Sequence, residues 1–298
     1  MLKQDERYAS LSHASVSKAF VPEVDLNWED GVWSPGAGLL PTDQMTLPAS
    51  QIEKLDPALV DSLAANEVAA FLSAFCRFET LLTQFLARQA YRSGGDNPQP
   101  VYIMHIIEEE ARHTRMFSRV IEQLGVGAYP PVGPVGWVEL GVSRVVLWWA
   151  PLFHTALLAV ECITDSVLAL AAEGSTSHLL RGVCRVHRIE EARHIHYASA
   201  EFRSRFDGLG AFGRGILRVA APLMARVVFS VLAPPQIYRR SGVARSDAAS
   251  WTIWFQRRRW RAHQRAVAVS RFKSALGAAS TGGTLPTLLW RGLEATGH

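Results

Sequence analysis

The amino-acid sequence predicts an all-α fold, an antiparallel four-helix bundle with additional helices. Four long segments are rich in Ala, Leu, Glu and Phe, and short runs rich in Gly, Pro and Ser separate them. The sequence has no convincing pattern of alternating strands. Long helices joined by such breaks pack antiparallel in bundles. The second and fourth segments both contain Glu-Glu-Ala-Arg-His, which indicates a duplicated helix pair.

Residues 1–50 are predicted to form an irregular arm. Their stretch NWEDGVWSPGAGLLPTDQ is rich in Pro, Gly, Trp and Asp, and no helical or strand period persists there. Trp28 and Trp33 would expose large apolar surfaces in a free loop. We therefore expect the arm to pack over the rest of the protein.

The four bundle helices are delimited by helix-breaking segments. SGGDNPQP ends the first, Gly125 and GAYPPVGPVG end the second, and EGSTS ends the third. Pro151 should kink the third helix, and Ser175 or Ser177 could cap the fourth. The predicted helices cover residues 58–91, 101–124, 138–172 and 178–206.

The C-terminal part, residues 210–298, is more basic and should add helices near 216–232 and 248–275. No linker requires a second domain. We expect one domain over residues 1–298, with the arm at 1–50, a metal-binding core at 51–209 and the added helices at 210–298.

Composition narrows the class of protein. The net charge is only +4, and three cysteines without a Cys-x-x-Cys pair argue against a disulfide scaffold or a thiolate zinc site. The N-terminus lacks the apolar stretch of a secretory signal. We expect a cytoplasmic protein and a homodimer.

Two segments suggest other partners, and both have simpler interpretations. Residues 145–160 are apolar but shorter than the ~20 residues of a spanning helix, and they contain Pro151 and His154. A buried helix rather than a membrane span is expected. The basic run at 256–265 is best interpreted as a solvated helix face rather than a nucleic-acid site, and an acidic carrier protein is an alternative partner.

Each Glu-Glu-Ala-Arg-His segment carries a potential metal-binding pair. Glu110 and His113, like Glu191 and His194, are three residues apart and lie on one helix face. Two such helices can present both pairs to the axis of a bundle, where a di-metal carboxylate site forms.

The other two helices should each supply one glutamate. Glu79 precedes Glu110 by 31 residues and Glu161 precedes Glu191 by 30, both in apolar stretches. An unpaired carboxylate in a core is costly, and Glu161 has no basic residue three or four positions away. Oxygen and nitrogen ligands without thiolate favour two iron ions, although manganese would accept them too.

His187 makes the predicted site asymmetric. It lies four residues before Glu191 and seven before His194, whereas Ile106 occupies the equivalent position of the first motif. Taken alone, His187 would be interpreted as a core or supporting histidine.

The whole pattern resembles the non-haem di-iron N-oxygenases typified by the p-aminobenzoate N-oxygenase of aureothin biosynthesis and the arylamine oxygenase of chloramphenicol biosynthesis. Those are ferritin-like bundles with an extra histidine before the second Glu-x-x-His. The resemblance spans residues 66–206. The metal ligands that it implies are Glu79, Glu110, His113, Glu161, His187, Glu191 and His194.

That resemblance implies an enzyme that uses O2 to oxidise an amine nitrogen to a hydroxylamine and often on to a nitroso or nitro group. The amine would be small, either free or bound to a carrier protein, and an external electron donor would be needed.

Acidic neighbours of the ligands are candidates for supporting roles. Glu109 and Glu190 precede ligand glutamates and could each hold a ligand histidine, or could lie on a solvated face. Arg112 and Arg193 could balance them or form surface ion pairs. Asp165, one turn beyond Glu161, should face the interior and could orient His187 or contact substrate.

Three other functions fit a di-iron bundle. A ribonucleotide-reductase-type radical subunit would need a tyrosine where Phe117 stands. A C–H hydroxylase or desaturase could use the same ligands. An iron-storage protein is a further alternative, although the apolar third helix suggests an enclosed pocket.

Overall fold

A computed structural model describes residues 2–34, 36–94, 97–131, 133–146, 148–256 and 262–294. These residues form helices and connecting segments without a β-strand, so the all-α prediction is confirmed. The α-helices are α1 (Leu2–Ser17), α2 (Pro22–Asp25), α3 (Ala49–Ile52), α4 (Pro57–Ser93), α5 (Gln99–Leu124), α6 (Gly133–Val146), α7 (Ala150–Gly174), α8 (His178–Asp207), α9 (Ala211–Leu232), α10 (Gln236–Arg240), α11 (Asp247–Gln256), α12 (Ala262–Leu276) and α13 (Thr284–Glu294).

Helices α4, α5, α7 and α8 form the bundle. The most extensive packing joins α4 to α5 and α7 to α8, and α5 also contacts α8. Helix α1 packs on α5, α6 packs on α7 and α9, and α9 and α12 cover α7. The duplicated helix pair of the sequence is therefore visible as two paired halves.

Local signals fix the ends of the bundle helices. The Asp56 carboxylate accepts a hydrogen bond from the Ala58 amide at 2.8 Å and caps α4. Gly125 ends α5 in the left-handed conformation with φ 70°, and its N–H bonds to the Glu122 carbonyl. Ser177, rather than Ser175, caps α8 by accepting a bond from the Leu180 amide at 3.1 Å.

The predicted third helix is two helices. Helix α6 ends at Val146 and α7 begins at Ala150 after an extended Trp149, with φ −128°. Pro151 lies in the first turn of α7, where its missing N–H costs no helical hydrogen bond. Pro151 therefore helps to start a helix, and the prediction of a kink within one continuous helix was wrong.

The N-terminal arm is more ordered than its sequence suggested. Residues Leu2–Ser17 are helical, and the buried Tyr8 hydroxyl donates to Glu201 on α8 at 2.5 Å. The rest is mostly irregular and packs on the bundle as expected. Trp28 is buried, with its Nε1–H donating to the Pro22 carbonyl at 2.7 Å, and Trp33 is half-buried.

The C-terminal helices differ partly from their predicted bounds. Helix α9 begins five residues earlier than expected, at Ala211. The arginine-rich part of the basic run, residues 257–261, lies outside the described residues. The expected helix at 248–275 is represented by α11 and α12 on either side of it.

Three helical stretches have the length and apolar composition of membrane spans: Pro57–Ser93 (α4), Ala150–Gly174 (α7) and Ala211–Arg240 (α9 with α10). In the most apolar window of each, 72%, 67% and 50% of the residues are buried inside the protein, respectively. The first two are bundle helices.

Candidate metal centre

The bundle brings all seven predicted ligands into its interior. Each of the seven residues is at most 7% exposed. Helix α4 supplies one, α5 two, α7 one and α8 three, as the sequence spacing predicted. The ligands are Glu79, Glu110, His113, Glu161, His187, Glu191 and His194.

Six of these side chains form two groups whose nitrogen and oxygen atoms lie close enough to share a metal ion. The donor atoms of each group are within 4.8 Å of one another. Both groups contain Glu191, so its carboxylate lies between the two positions. The first group is Glu79, His113, His187 and Glu191, and the second is Glu110, Glu191 and His194.

Short distances join the first group. His187 Nε2 lies 3.4 Å from Glu79 Oε1 and 3.3 Å from Glu191 Oε1. His113 Nδ1 lies 3.4 Å from the same Glu191 oxygen. The extra histidine that made the predicted site asymmetric therefore points into this group.

The second group is equally compact. His194 Nδ1 lies 2.9 Å from Glu110 Oε1 and 3.3 Å from Glu191 Oε1. Glu110 also reaches the first group, because its Oε2 lies 3.3 Å from His113 Nδ1. The two glutamates of the repeated motifs thus both lie within reach of both groups.

Glu161 belongs to neither group but adjoins them. Burial, followed by its contacts with the carboxylates of Glu191 and Glu79, raises the pKa of Glu161 well above its usual range. A cation between these carboxylates would reverse the effect. Glu161 and Glu79 also line a small internal pocket of about 40 Å³.

Several buried polar atoms at the centre have no hydrogen-bond partner among the described residues. Four of them are Glu110 Oε1, both carboxylate oxygens of Glu191, and His194 Nδ1, and a fifth is His187 Nδ1. Leaving such atoms unsatisfied in a core costs ~1–3 kcal/mol each, and more for charged groups. Metal coordination would satisfy the first four, whereas His187 faces the centre with its Nε2. The residues present therefore fit a pair of metal ions bound by carboxylates and imidazoles.

Two further carboxylates support the ligand histidines across the bundle. Glu109 on α5 accepts from His194 Nε2 at 2.7 Å, and Glu190 on α8 accepts from His113 Nε2 at 2.7 Å. Each glutamate thus holds the histidine of the opposite helix. The Nδ1 atom of each ring is left facing the centre, where it can bind metal.

Each of these two carboxylates also accepts a hydrogen bond from an arginine of the other helix. Arg112 Nη2 donates to Glu190 at 2.5 Å, and Arg193 Nη2 donates to Glu109 at 2.7 Å. All four side chains are at most 9% exposed. The alternatives of a solvated face and of surface ion pairs are therefore wrong.

The protonation of this network follows from its contacts. Burial opposes ionisation of Glu109, but its bonds to His194 and Arg193 outweigh that and lower its pKa to about 2. Burial raises the pKa of Glu190 against the pull of Arg112. Burial also lowers the pKa of His113 well below its usual range. Burial acts in the same direction on His194, but its contacts with Glu191 and Glu109 outweigh it and raise the pKa of His194 well above its usual range.

Asp165 is buried as predicted but does not orient His187. Its carboxylate pairs with Arg188 Nε at 3.1 Å and with Arg271 on α12, rather than with His187. The interpretation that it orients His187 was therefore wrong, whereas the alternative of a substrate contact stays a prediction.

Two aromatic rings pack against the His187 imidazole, and the sequence analysis did not predict these contacts. The imidazole stacks on Phe75 with ring centroids 6.3 Å apart, and Phe117 lies 5.1 Å away. Phe75 is four residues before Glu79 and Phe117 four after His113. That spacing was the signal that could have found them. The rings shield the first group from water.

Comparison with known proteins agrees with this geometry. The family model described as P-aminobenzoate N-oxygenase AurF matches residues 2–277. Uncharacterized protein Rv0885 of Mycobacterium tuberculosis (strain ATCC 25618 / H37Rv) and uncharacterized protein Mb0909 of Mycobacterium bovis are each 26% identical over 244 residues, or 78% of this chain and 71% of theirs. This chain belongs to the AurF family of di-iron, ferritin-like oxygenases.

Proposed function

We propose that this protein is a di-iron N-oxygenase that oxidises the amine nitrogen of a small substrate. The observation that carries the proposal is the seven-residue centre with three histidines, two of them held crosswise by Glu109 and Glu190. Membership of the family supports the same class of reaction.

The first oxidation balances as R–NH2 + O2 + 2e⁻ + 2H⁺ → R–NHOH + H2O. The nitrogen gains one oxygen atom of O2, and the other leaves as water. An external electron-transfer protein supplies the two electrons. Further rounds would carry the hydroxylamine to a nitroso or nitro group. Two bound irons would supply O2 binding and paired electron transfer.

The protein's own residues set the conditions for this chemistry. Four glutamates, Glu79, Glu110, Glu161 and Glu191, and the three histidines would hold the irons. Phe75 and Phe117 exclude water beside His187. The small pocket against Glu79 and Glu161 leaves room for a substrate group next to the centre.

The proposal is tested on the full-length protein loaded with Fe(II) without oxygen. The loaded protein is reduced, exposed to ¹⁸O2 with a panel of aryl and alkyl amines, and the products are analysed by mass spectrometry. We expect two irons per chain and label on nitrogen. The matched variants are Glu191→Ala, which should lose both irons, and Glu108→Gln on the exposed face of α5, which should retain them.

Other outcomes would overturn the proposal in different ways. Label on carbon, or an alkene product, would favour a C–H hydroxylase or desaturase. Formation of ferric mineral without substrate oxidation would favour iron storage. Failure of the wild-type protein to retain iron would refute the centre itself.

A further inference from the structure

A large apolar cavity opens beside the metal centre. It lies between α4, α6, α7 and α9 and has a volume of about 760 Å³. Its walls include Leu81, Trp137, Leu140, Met224, Val227 and Val228. Trp137 is 75% exposed and Leu140 is 45% exposed, so the mouth of the cavity lies at α6. The volume is in the range of binding sites for small organic ligands.

The large cavity adjoins the small pocket at the centre. Both are lined by the same five side chains, namely Phe78, Leu81, Val146, Ala156 and Val160. The small pocket, of about 40 Å³, reaches Glu79 and Glu161. The five shared residues, hereafter the neck, therefore separate a surface-accessible cavity from two predicted metal ligands.

The walls of the large cavity favour an uncharged ligand. Among the described residues that line it, Arg77 is the one charged side chain, and its Nη1 donates to the carbonyls of Ser73 and Tyr129 at 3.0 and 2.7 Å. Thr80 donates to the Cys76 carbonyl at 2.7 Å. These donors are directed at the backbone, so most of the described wall offers apolar contacts, and a charged ligand would lose its hydration there.

The small pocket limits the group that can reach the centre. Its volume is comparable with that of about one water molecule. The described side chains that line it are apolar apart from Glu79, Glu161 and Thr164, so a carboxylate entering it would meet no basic group. A terminal amino group is small enough and carries no negative charge.

We propose that the substrate is a primary amine at the end of a long, uncharged apolar group. The apolar group fills the large cavity, and the amino group passes the neck to the centre. The identification of the reacting group as an amine rests on the proposed function. The binding of an apolar ligand in the cavity and the selectivity against anions do not depend on it.

Binding to the iron-loaded protein tests the cavity separately from the reaction. Calorimetric titrations would compare n-alkylamines from butylamine to decylamine, n-alcohols of the same lengths, decanoate and p-aminobenzoate. We expect affinity to rise about threefold to fourfold per methylene in both series until the cavity is full. Each amine is protonated at neutral pH and should bind more weakly than the alcohol of the same length. Decanoate should bind at least about tenfold more weakly than decanol. No dependence on length, or tighter binding of p-aminobenzoate than of decylamine, would overturn the proposal.

Cavity variants locate the binding site. Val227→Phe, which narrows the cavity, should weaken decanol binding about tenfold or more, and Val227→Ser should weaken it without narrowing. The matched control, Val101→Phe, alters a valine that is 57% exposed on α5 and should bind decanol like wild type. Wild-type binding by both Val227 variants would overturn the assignment, and the serine variant remains informative should the phenylalanine variant fail to fold.

A variant of the small pocket distinguishes this proposal from the proposed function. Leu157 lines the small pocket but not the large cavity, so Leu157→Phe should still bind decanol but lose N-oxidation of decylamine. If the wild-type protein binds long chains with the expected length dependence yet oxidises no amine, the proposed function fails and the cavity assignment stands. If amines are oxidised but length and Val227 have no effect, the cavity assignment fails alone.

Discussion

The crosswise support of the ligand histidines gives the sharpest prediction. Glu109 is 2% exposed and accepts from both His194 Nε2 and Arg193 Nη2 at 2.7 Å. Glu109→Gln keeps the shape of the side chain but removes its charge. The amide cannot accept from both partners as a carboxylate does, so His194 loses the acceptor that orients it.

The size of the effect follows from the contacts. Loss of a carboxylate that supports a ligand histidine lowers metal affinity about 10- to 100-fold, which corresponds to about 1.4–2.7 kcal/mol. The pKa of Glu109 is lowered to about 2, so the charge is present at any working pH. Because Glu109 supports His194, the loss should fall mainly on the second group. Glu190→Gln should affect the first group through His113.

The assay is an anaerobic titration with Co(II), followed by visible absorption against a competing chelator, and repeated with Fe(II). Glu108→Gln is the matched control, because it makes the same change one residue away on the exposed face of α5. We expect one of the two binding steps of Glu109→Gln to weaken and both steps of Glu108→Gln to stay unchanged. Equal affinities in the two variants, with both proteins folded, would refute the crosswise support.

Three further experiments, with four substitutions, test the site and its surroundings. His187→Ala should weaken one of the two metal positions by at least about tenfold in the same titration, and two unchanged steps would contradict its place in the first group. Burial lowers the pKa of His154 from 6.5 to about 3, so between these pH values the unfolded chain binds more protons than the folded protein. The free energy of unfolding should therefore decrease by up to about 1.4 kcal/mol for each unit by which the pH falls from 6.5 to 3. Urea unfolding of His154→Leu should lack this part of the pH dependence, and parallel pH profiles for the two proteins would argue against it. A Cβ at Gly174 would lie 1.9 Å from Cγ of Pro41, so Gly174→Ala should destabilise the fold by about 1–3 kcal/mol. A Cβ at Gly215 would have no atom within 4 Å, so Gly215→Ala should stabilise α9 by about 0.5–1 kcal/mol. Equal urea midpoints for the two variants would contradict the packing at Gly174.

The ligand positions could be predicted from sequence because helical spacing fixes which residues share a face. Glu110 and His113 must project together, and the matched distances to Glu79 and Glu161 imply one antiparallel connection in each half. Spacing does not say which residue lies opposite on another helix. The motif therefore could not predict that Glu109 pairs with His194 and Glu190 with His113, each on the opposite helix.

Other differences have similar tertiary causes. Helix α1 has few strong sequence signals, and contacts such as the Tyr8–Glu201 hydrogen bond fix it on the bundle. Asp165 shares a helix with Glu161, but its partner Arg271 comes from α12, more than a hundred residues later. Pro151 was recognised as a helix signal, yet proline fits both the kink of a helix and its first turn.

The exchange of carboxylates between α5 and α8 has a consequence for how the two halves of this chain depend on each other. Neither half contains both a ligand histidine and the glutamate that orients it, because each supplies that glutamate to its counterpart. A single helix pair therefore cannot assemble half of the centre by itself. Ordered metal binding at either position requires that the two pairs have already docked in the correct register, which makes metal content a direct reporter of the α5–α8 interface.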